Sequence, residues 1–593
     1  MDLKVIKGGE FLVRETPCER VFIPEEFNEE QRMMAQTCYD FVETKVFPVV
    51  DDLDKHDRDL LRKLMEEAGE LGLLGVSVPE EYDGFGQNFV TSMLTAEAMG
   101  GSFSFAVAFS AHTGIGTLPI LYYGTEEQKK KYVPKLATGE NIGAYCLTEP
   151  DAGSDANSGK SKAILSEDGK TYTLNGVKMW ITNGGIADIL IVFAKINDDK
   201  NLSAFIVDAK TEGVTLGAEE EKLGIKGSST VQIYFEDVKI PAENLLGKRN
   251  NGFKIALYIL NLGRIKLGAA VLGASKGLIS YSVNYANERK QFGKAISGFG
   301  AIKHKLAEMA IQVFAGESLT YRASQNIDDE IASLIKGGMN KDEAIIEGIR
   351  QYAIEASISK VFTSEALDFC ADEGVQIHGG MGYSAETRVE KAYRDSRINR
   401  IFEGTNEINR LVIVAETLKR AFKGEIDLLN PAKEVAKELM GIPDFGGESL
   451  DYFEEKLKTI QNFKKSILMV SGAALQKFGK KLTDEQELLF NAANIIIAIY
   501  AAESMTLRIQ KMSKTMDGSK LGLYKDMLDV YVYDMASKVN KEGVDAVNSF
   551  AVGDEQMAML MGMKRFTKVA PVNVVAARRN IADKIIDDNK YTL

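Results

Sequence analysis

Thr171-Tyr172-Thr173-Leu174-Asn175-Gly176-Val177-Lys178-Met179-Trp180 decides the fold class, because it interrupts a chain that otherwise reads as helix. Strand-forming side chains flank an Asn-Gly pair, and Asn-Gly supplies the two positive-φ residues of a type I′ turn. The stretch is therefore expected to form a hairpin with arms at 171–174 and 177–180. Residues 187–196, 202–208 and 230–235 carry similar β-branched and aromatic runs and extend the sheet. Together they predict a central β domain over 142–252.

On both sides the apolar spacing becomes helical. Leu60, Leu61, Leu64 and Met65 mark one such stripe, and turns at Tyr82-Asp83-Gly84 and Tyr123-Gly124 punctuate an N-terminal helical domain over 1–141. Long helices return over 253–425, with glycine stops at Gly293 and Gly379-Gly380. A Pro/Gly cluster at 441–447 then falls near the start of a further all-helical unit, 426–593. The expected class is mainly α with a central β domain, an α + β + α arrangement, plus an extra C-terminal all-helical domain.

At 593 residues, 45% of them hydrophobic, the chain is long enough for several cores. A net charge of -13 disfavours nucleic acid as a partner, which calls for a concentrated cationic face. Cys18, Cys38, Cys146 and Cys370 are far apart without a CxxC pair, so neither disulfides nor zinc are expected and a reducing compartment fits. The N-terminus has no apolar run after its charges, and the longest apolar patch, near 492–502, is short and interrupted by Asn494. A cytoplasmic protein without a secretory signal or a transmembrane stretch is expected. The four histidines lack ligand spacing, so no metal site is expected, and Gly114-Ile115-Gly116 does not complete a dinucleotide fingerprint.

The chemistry concentrates in Tyr393-Arg394-Asp395 through Ile401-Phe402-Glu403-Gly404-Thr405-Asn406-Glu407-Ile408. Ile401 and Phe402 would desolvate Glu403 and raise its pKa, and Gly404 would allow a substrate close to the backbone. A base of that kind can take a carbon-bound proton. These residues alone also describe a surface acid before a glycine C-cap.

Further segments, in order, carry a resemblance. Tyr145-Cys146-Leu147-Thr148-Glu149-Pro150-Asp151-Ala152-Gly153-Ser154-Asp155, Trp180-Ile181-Thr182-Asn183, Arg289-Lys290-Gln291-Phe292-Gly293, Gln376-Ile377-His378-Gly379-Gly380-Met381-Gly382 and Glu403-Gly404-Thr405 resemble the acyl-CoA dehydrogenases. The length and helical tail look like the very-long-chain branch. The resemblance implies FAD as cofactor, held by Tyr145, Leu147, Thr148, Gly153, Ser154, Trp180, Ile181, Thr182, Thr405 and Glu407. Arg289, Gln291, Phe292, Gln376, Ile377, Gly379 and Gly380 would hold its adenine and pyrophosphate, often across to a neighbouring subunit, which implies a homodimer.

It further implies a fatty acyl-CoA substrate contacted by Ser154, Asn261, Arg264, Phe402 and Gly404. Glu403 would remove the α proton, the β hydride would pass to FAD, and a trans-2-enoyl-CoA would result. The developing enolate would meet the Glu403 backbone N–H and a ribityl hydroxyl. An electron-transferring flavoprotein is the implied electron acceptor. Some relatives carry their base on the earlier helix, where this chain has Gly263, so Glu403 is the family base present; Asn261 replaces an aspartate of shorter-chain members.

Read without the resemblance, Gly153 and Ser154 are a phosphate-binding turn or a plain polar one. Trp180 covers a flavin or packs in a core, and Arg289 and Gln291 suit a pyrophosphate or a helix C-terminus. Small residues Ala106, Ala108 and Ser110 leave room for a long acyl tail or serve tight helix packing. Residues 450–475 form an amphipathic pattern, with Phe453, Leu457, Ile460, Phe463 and Ile467 opposite lysines; it suits a peripheral membrane contact or a packed helix. An acyl-CoA oxidase and a largely non-catalytic assembly scaffold are the alternative functions.

Overall fold

A computed structural model describes residues 5–440 and 450–593. The first helical block holds α1 (Glu29–Phe41), α2 (Val50–Leu53), α3 (Arg58–Glu70), α4 (Phe89–Met99), α5 (Ser104–Ala111), α6 (Leu118–Tyr123) and α7 (Glu126–Ala137). Asn28, Asp57, Asn88 and Thr125 cap α1, α3, α4 and α7 through side-chain oxygens on backbone N–H groups. On α3, Leu61, Leu64 and Met65 of the predicted stripe are buried, joined by Ala68, while Leu60 is only half-buried.

The sheet follows: β1 (Gly143–Cys146), β2 (Lys162–Leu165), β3 (Thr171–Thr182), β4 (Ile189–Ile196), β5 (Ser203–Asp208), β6 (Val214–Glu219), β7 (Thr230–Pro241) and β8 (Leu245–Leu246). Their order is β6-β7-β3-β2-β4-β5-β8, with β1 parallel to β4. The expected hairpin is absent. Asn175 and Gly176 lie inside one continuous strand that pairs antiparallel with β7, and the register shifts between Leu174 and Gly176. Gly176 serves a bulge and a close approach, since a β-carbon there would stand 2.2 Å from Ser161 Oγ.

The next block contains α8 (Gly252–Glu288), α9 (Gly300–Lys336), α10 (Lys341–Gln351), α11 (Ala353–His378), α12 (Arg388–Ser396) and α13 (Asn406–Phe422), with the small hairpin β9 (Lys290–Gln291) and β10 (Lys294–Ala295) after α8. Gly293 thus sits in a turn rather than at a helix stop, whereas α11 does end at the Gly379-Gly380 pair. Then come α14 (Leu429–Met440), α15 (Tyr452–Phe478), α16 (Gln486–Met512), α17 (Gly518–Phe550), α18 (Gly553–Phe566) and α19 (Val574–Asp588). The Pro/Gly cluster at 441–447 lies outside the described residues.

One hydrophobic core runs without interruption from α8, α9 and α11 into α15, α16, α17, α18 and α19. Buried charges cross the same boundary. Arg322 of α9 and Lys464 of α15 both bond to Glu503 of α16, and Arg508 of α16 bonds to Glu317 of α9 at 2.5 Å and to Glu25 at 2.7 Å. Lys276 of α8 bridges Glu317 and Glu97.

One expectation about membranes needs correction, and of the two readings of α15 the packed helix is the one seen. Three helical stretches, Ser104–Tyr123, Gly252–Glu288 and Gln486–Met512, are long and apolar enough to span a bilayer, but between 67% and 83% of each apolar window is buried inside the protein. The amphipathic stripe of α15 is also occupied: Ile460, Phe463 and Ile467 are buried, Phe453 and Leu457 pack on the same core, and Lys464 is an internal ion-pair partner.

Candidate active site

Glu403 sits in a turn between the 3-10 helix Arg397–Arg400 and α13, whose N-cap Thr405 accepts from the Ile408 N–H at 3.2 Å. The turn opens a helix, so Gly404 is not a C-cap. Both residues are left-handed, Glu403 at φ 58 and Gly404 at φ 81. For a glutamate that conformation costs on the order of 1–3 kcal/mol and persists only when its surroundings impose it. Here Arg264 Nε donates to the Glu403 carbonyl at 3.3 Å, while Lys360 Nζ and Asn409 Nδ2 each donate to the Gly404 carbonyl at 2.8 Å.

The carboxylate itself is free. Glu403 Oε2 is shut off from solvent and has no hydrogen-bond partner. Burial pushes its pKa up to about 7 against the opposing fields of Arg264 and Lys360. Part of the expected shielding is absent: Phe402 lines the adjoining cavity, but Ile401 is 47% exposed. Arg264 is buried, donates to Asn261 Oδ1 at 2.8 Å, and has its pKa lowered to about 10 by burial.

Glu403 heads a cavity of about 490 Å³ that Gly263, Lys266, Leu267, Ala270 and Val271 of α8 line along one side. Ala106 and Ser110 line it too, whereas Ala108 is buried in the core. Thr182 of β3 shares the same cavity. Beside it the strand bulges again between Lys178 and Ile181, where Trp180 takes φ 60 and stays 52% exposed, while Ile181 is buried. A hydroxyl that lines the cavity of a buried carboxylate, with an exposed indole two residues before it on the same strand, fits the ring system of a flavin.

Tyr145 of β1 is buried with its hydroxyl unpartnered, and its pKa is raised by burial and by the field of Glu403. Leu147 is buried; its carbonyl accepts from Lys178 Nζ, and the Thr148 carbonyl accepts from the Met179 N–H. Gly153 and Ser154 lie in an exposed turn, and Glu407 is exposed in the first turn of α13.

The remaining candidates gather elsewhere. Arg289, Gln291 and Phe292, the last 94% exposed, follow the end of α8, about 38 Å along the helix from Gly263. Exposed Gln376, Gly379 and Gly380 join them there, since Tyr285 stacks on His378 at 4.1 Å; Ile377 is buried in the core. None of this second cluster lines the Glu403 cavity, and within one chain it lies at the other end of α8 from Glu403.

Sequence reasoning missed three buried groups. Lys360 and Asn409 hold the Glu403 turn. Lys266, one helical turn from Gly263, donates to Thr113 Oγ1 at 2.6 Å and has its pKa lowered to about 7 by burial. Glu149 and Lys178 form a buried ion pair at 2.6 Å that ties the loop after β1 to β3. A lysine at i+3 from Gly263, on an otherwise apolar helix face, is the one signal that could have been read from sequence.

A buried base at the head of an apolar cavity, with a hydroxyl on its wall and an exposed indole on the same strand, fits a flavin-linked dehydrogenase acting on carbon–hydrogen bonds. Comparison with known proteins identifies which. Residues 28–140, 144–238 and 250–418 match the N-terminal, middle and C-terminal domain models of acyl-CoA dehydrogenase, and residues 462–565 match a second C-terminal domain model. The chain belongs to the acyl-CoA dehydrogenase family. A probable acyl-CoA dehydrogenase of Bacillus subtilis is 43% identical over 99% of both chains. The mitochondrial very long-chain specific acyl-CoA dehydrogenase of Bos taurus is 36% identical over 92% of this chain and 84% of its own. A crystal structure of acyl-CoA dehydrogenase complexed with FAD from Bacillus anthracis is 44% identical, covers 99% of this chain and 100% of that one, and superposes with a TM-score of 0.96. The cofactor is FAD.

Proposed function

We propose that the protein dehydrogenates long-chain fatty acyl-CoA to trans-2-enoyl-CoA in fatty acid β-oxidation and passes the electrons to an electron-transferring flavoprotein. One observation carries the reading: a carboxylate with an unpartnered Oε2 stands at the head of a long apolar cavity. A base so placed takes an α proton without first breaking a hydrogen bond of its own. The FAD, when bound, supplies the hydride acceptor.

The chain's residues do the rest. The apolar cavity wall excludes water from the acyl tail. The Glu403 backbone N–H, which has no acceptor among the described residues, is available to the thioester oxygen as enolate charge develops. Arg264 fixes the Glu403 carbonyl and thereby the direction of that N–H. Trp180 leaves one side of the site near the surface, which suits electron transfer to a partner protein. The exposed cluster at Arg289, Gln291, Gly379 and Gly380, at the far end of α8 from its own Glu403, suits the cofactor of a second copy and so a homodimer. A cytoplasmic location is part of the proposal.

Anaerobic mixing of the holoprotein with palmitoyl-CoA, with Glu403→Gln in parallel, tests it. Flavin bleaching in the wild type alone is expected, with re-oxidation by an electron-transferring flavoprotein and not by air. Absence of bleaching at every acyl length removes the enzymatic reading.

A further inference from the structure

The cavity does not end inside the protein. From Gly263 it follows one face of α8 through Lys266, Ala270 and Ala274 at helical spacing, and it continues past Gly277 to Tyr281 and Asn284. Gly277 and Asn284 are exposed, and Tyr281 is 38% exposed. A β-carbon on Gly277 would meet nothing within 4 Å. The deep end therefore opens to the surface.

The last residues of the chain frame that opening. Asn589, exposed and left-handed at φ 53 just after α19, lines the same cavity as Glu403. Asn287 Nδ2 donates to Asn589 Oδ1 at 2.8 Å and to the Ile586 carbonyl at 2.9 Å, and the Tyr591 N–H donates to Ser280 Oγ at 3.0 Å. None of the matched family domains extends to Asn589. The rim so made, with Ser280, Asn284 and Asn589, carries neutral hydrogen-bonding groups, while the passage behind it is mostly apolar.

We infer that this opening is a distal portal through which the ω-end of a long acyl chain reaches solvent, so that the protein accepts acyl-CoAs bearing a polar ω-group when the chain is long enough to deliver that group to the rim. The inference rests on the acyl-CoA reading above. The required length follows from the helix. Gly263 and Gly277 are separated by about 21 Å at about 1.5 Å per residue. An extended chain advances about 1.2 Å per bond, so roughly 18 bonds reach the rim. A carboxylate on a dodecane chain stops beyond Lys266, near Ala270 and Ala274 and short of the rim, where burial in the mostly apolar passage is less favourable than exposure to water.

The test compares kcat/KM of the holoenzyme for the mono-CoA thioesters of dodecanedioic and docosanedioic acids, each divided by that of its plain acyl-CoA of equal length, with palmitoyl-CoA as the reference substrate. The ratio is expected to be about 100-fold higher for the docosane pair. Gly277→Phe, which puts a ring into the mouth without a backbone clash, is expected to abolish that gain. An equal penalty on both diacids in the wild type overturns the portal, as does a gain that Gly277→Phe leaves intact. Turnover of palmitoyl-CoA in the same preparations keeps the acyl-CoA reading standing in either case, and its absence overturns both.

Discussion

Glu403 holds its carboxylate in the space that any side chain at Gly263 would need. A β-carbon on Gly263 would stand 2.6 Å from Glu403 Oε2 and 3.0 Å from its carboxyl carbon. The glycine is therefore a positioning residue, and the base reaches its place only because that helix position is empty.

Gly263→Ala is expected to fold and bind FAD but to push the carboxylate out of line. Displacement of a reacting group by about 1 Å can cost on the order of 100-fold in rate. Stopped-flow bleaching with palmitoyl-CoA reads the effect. A wild-type rate in this variant would show that the carboxylate has room to move.

The pH profile follows from the same carboxylate. Glu403 acts deprotonated and its pKa lies at about 7, so kcat/KM is expected to rise with pH through about 7 and then level off. Stability moves the opposite way. The folded protein holds this proton more tightly than the unfolded chain, whose value is near 4.5, so stability falls as pH rises from there to about 7. Glu403→Gln should gain stability over the parent above pH 7 and lose that advantage near pH 4.5. A parallel pair of stability curves would contradict the assignment.

Lys266 gives a prediction of the other sign. Its pKa falls from 10.5 to about 7 on folding, so the unfolded chain holds the extra proton between those values and stability rises with pH across that window. Lys266→Met removes the penalty. Chemical denaturation should find the variant more stable than the parent, most clearly below pH 7, with the gap narrowing towards pH 10.5.

The Arg322–Glu503–Lys464 triad should be intolerant of single changes. Glu503→Gln leaves two buried cations without their counter-charge, a defect worth about 3–5 kcal/mol. Denaturant titration measures it, and a cost close to that of an exposed pair would mean that water reaches the triad.

The sequence made the helix–sheet–helix order and Glu403 readable because both rest on local signals: periodicity in one case, an ordered set of short motifs in the other. Asn175-Gly176 misled because the same two residues that make a tight turn also make a bulge, and only the partner strand β7 and the approach of Ser161 decide between them. The α15 pattern left two readings open for a similar reason: an apolar stripe reads alike whether lipid or protein covers it. Lys360 and Asn409 were invisible because they meet the Glu403 turn from helices distant or unremarkable in sequence. The turn's left-handed backbone was equally hidden, since glutamate gives no sign of it.

The hydrophobic core shared by α8, α9, α11 and the C-terminal helices makes these parts one melting unit. Heat or protease cannot peel the tail away while leaving the catalytic half intact, because the seam between them is interior rather than surface. A shorter enzyme made by simple truncation would inherit a raw apolar flank and two stranded charge clusters, so length in this chain is a condition of solubility as well as of shape.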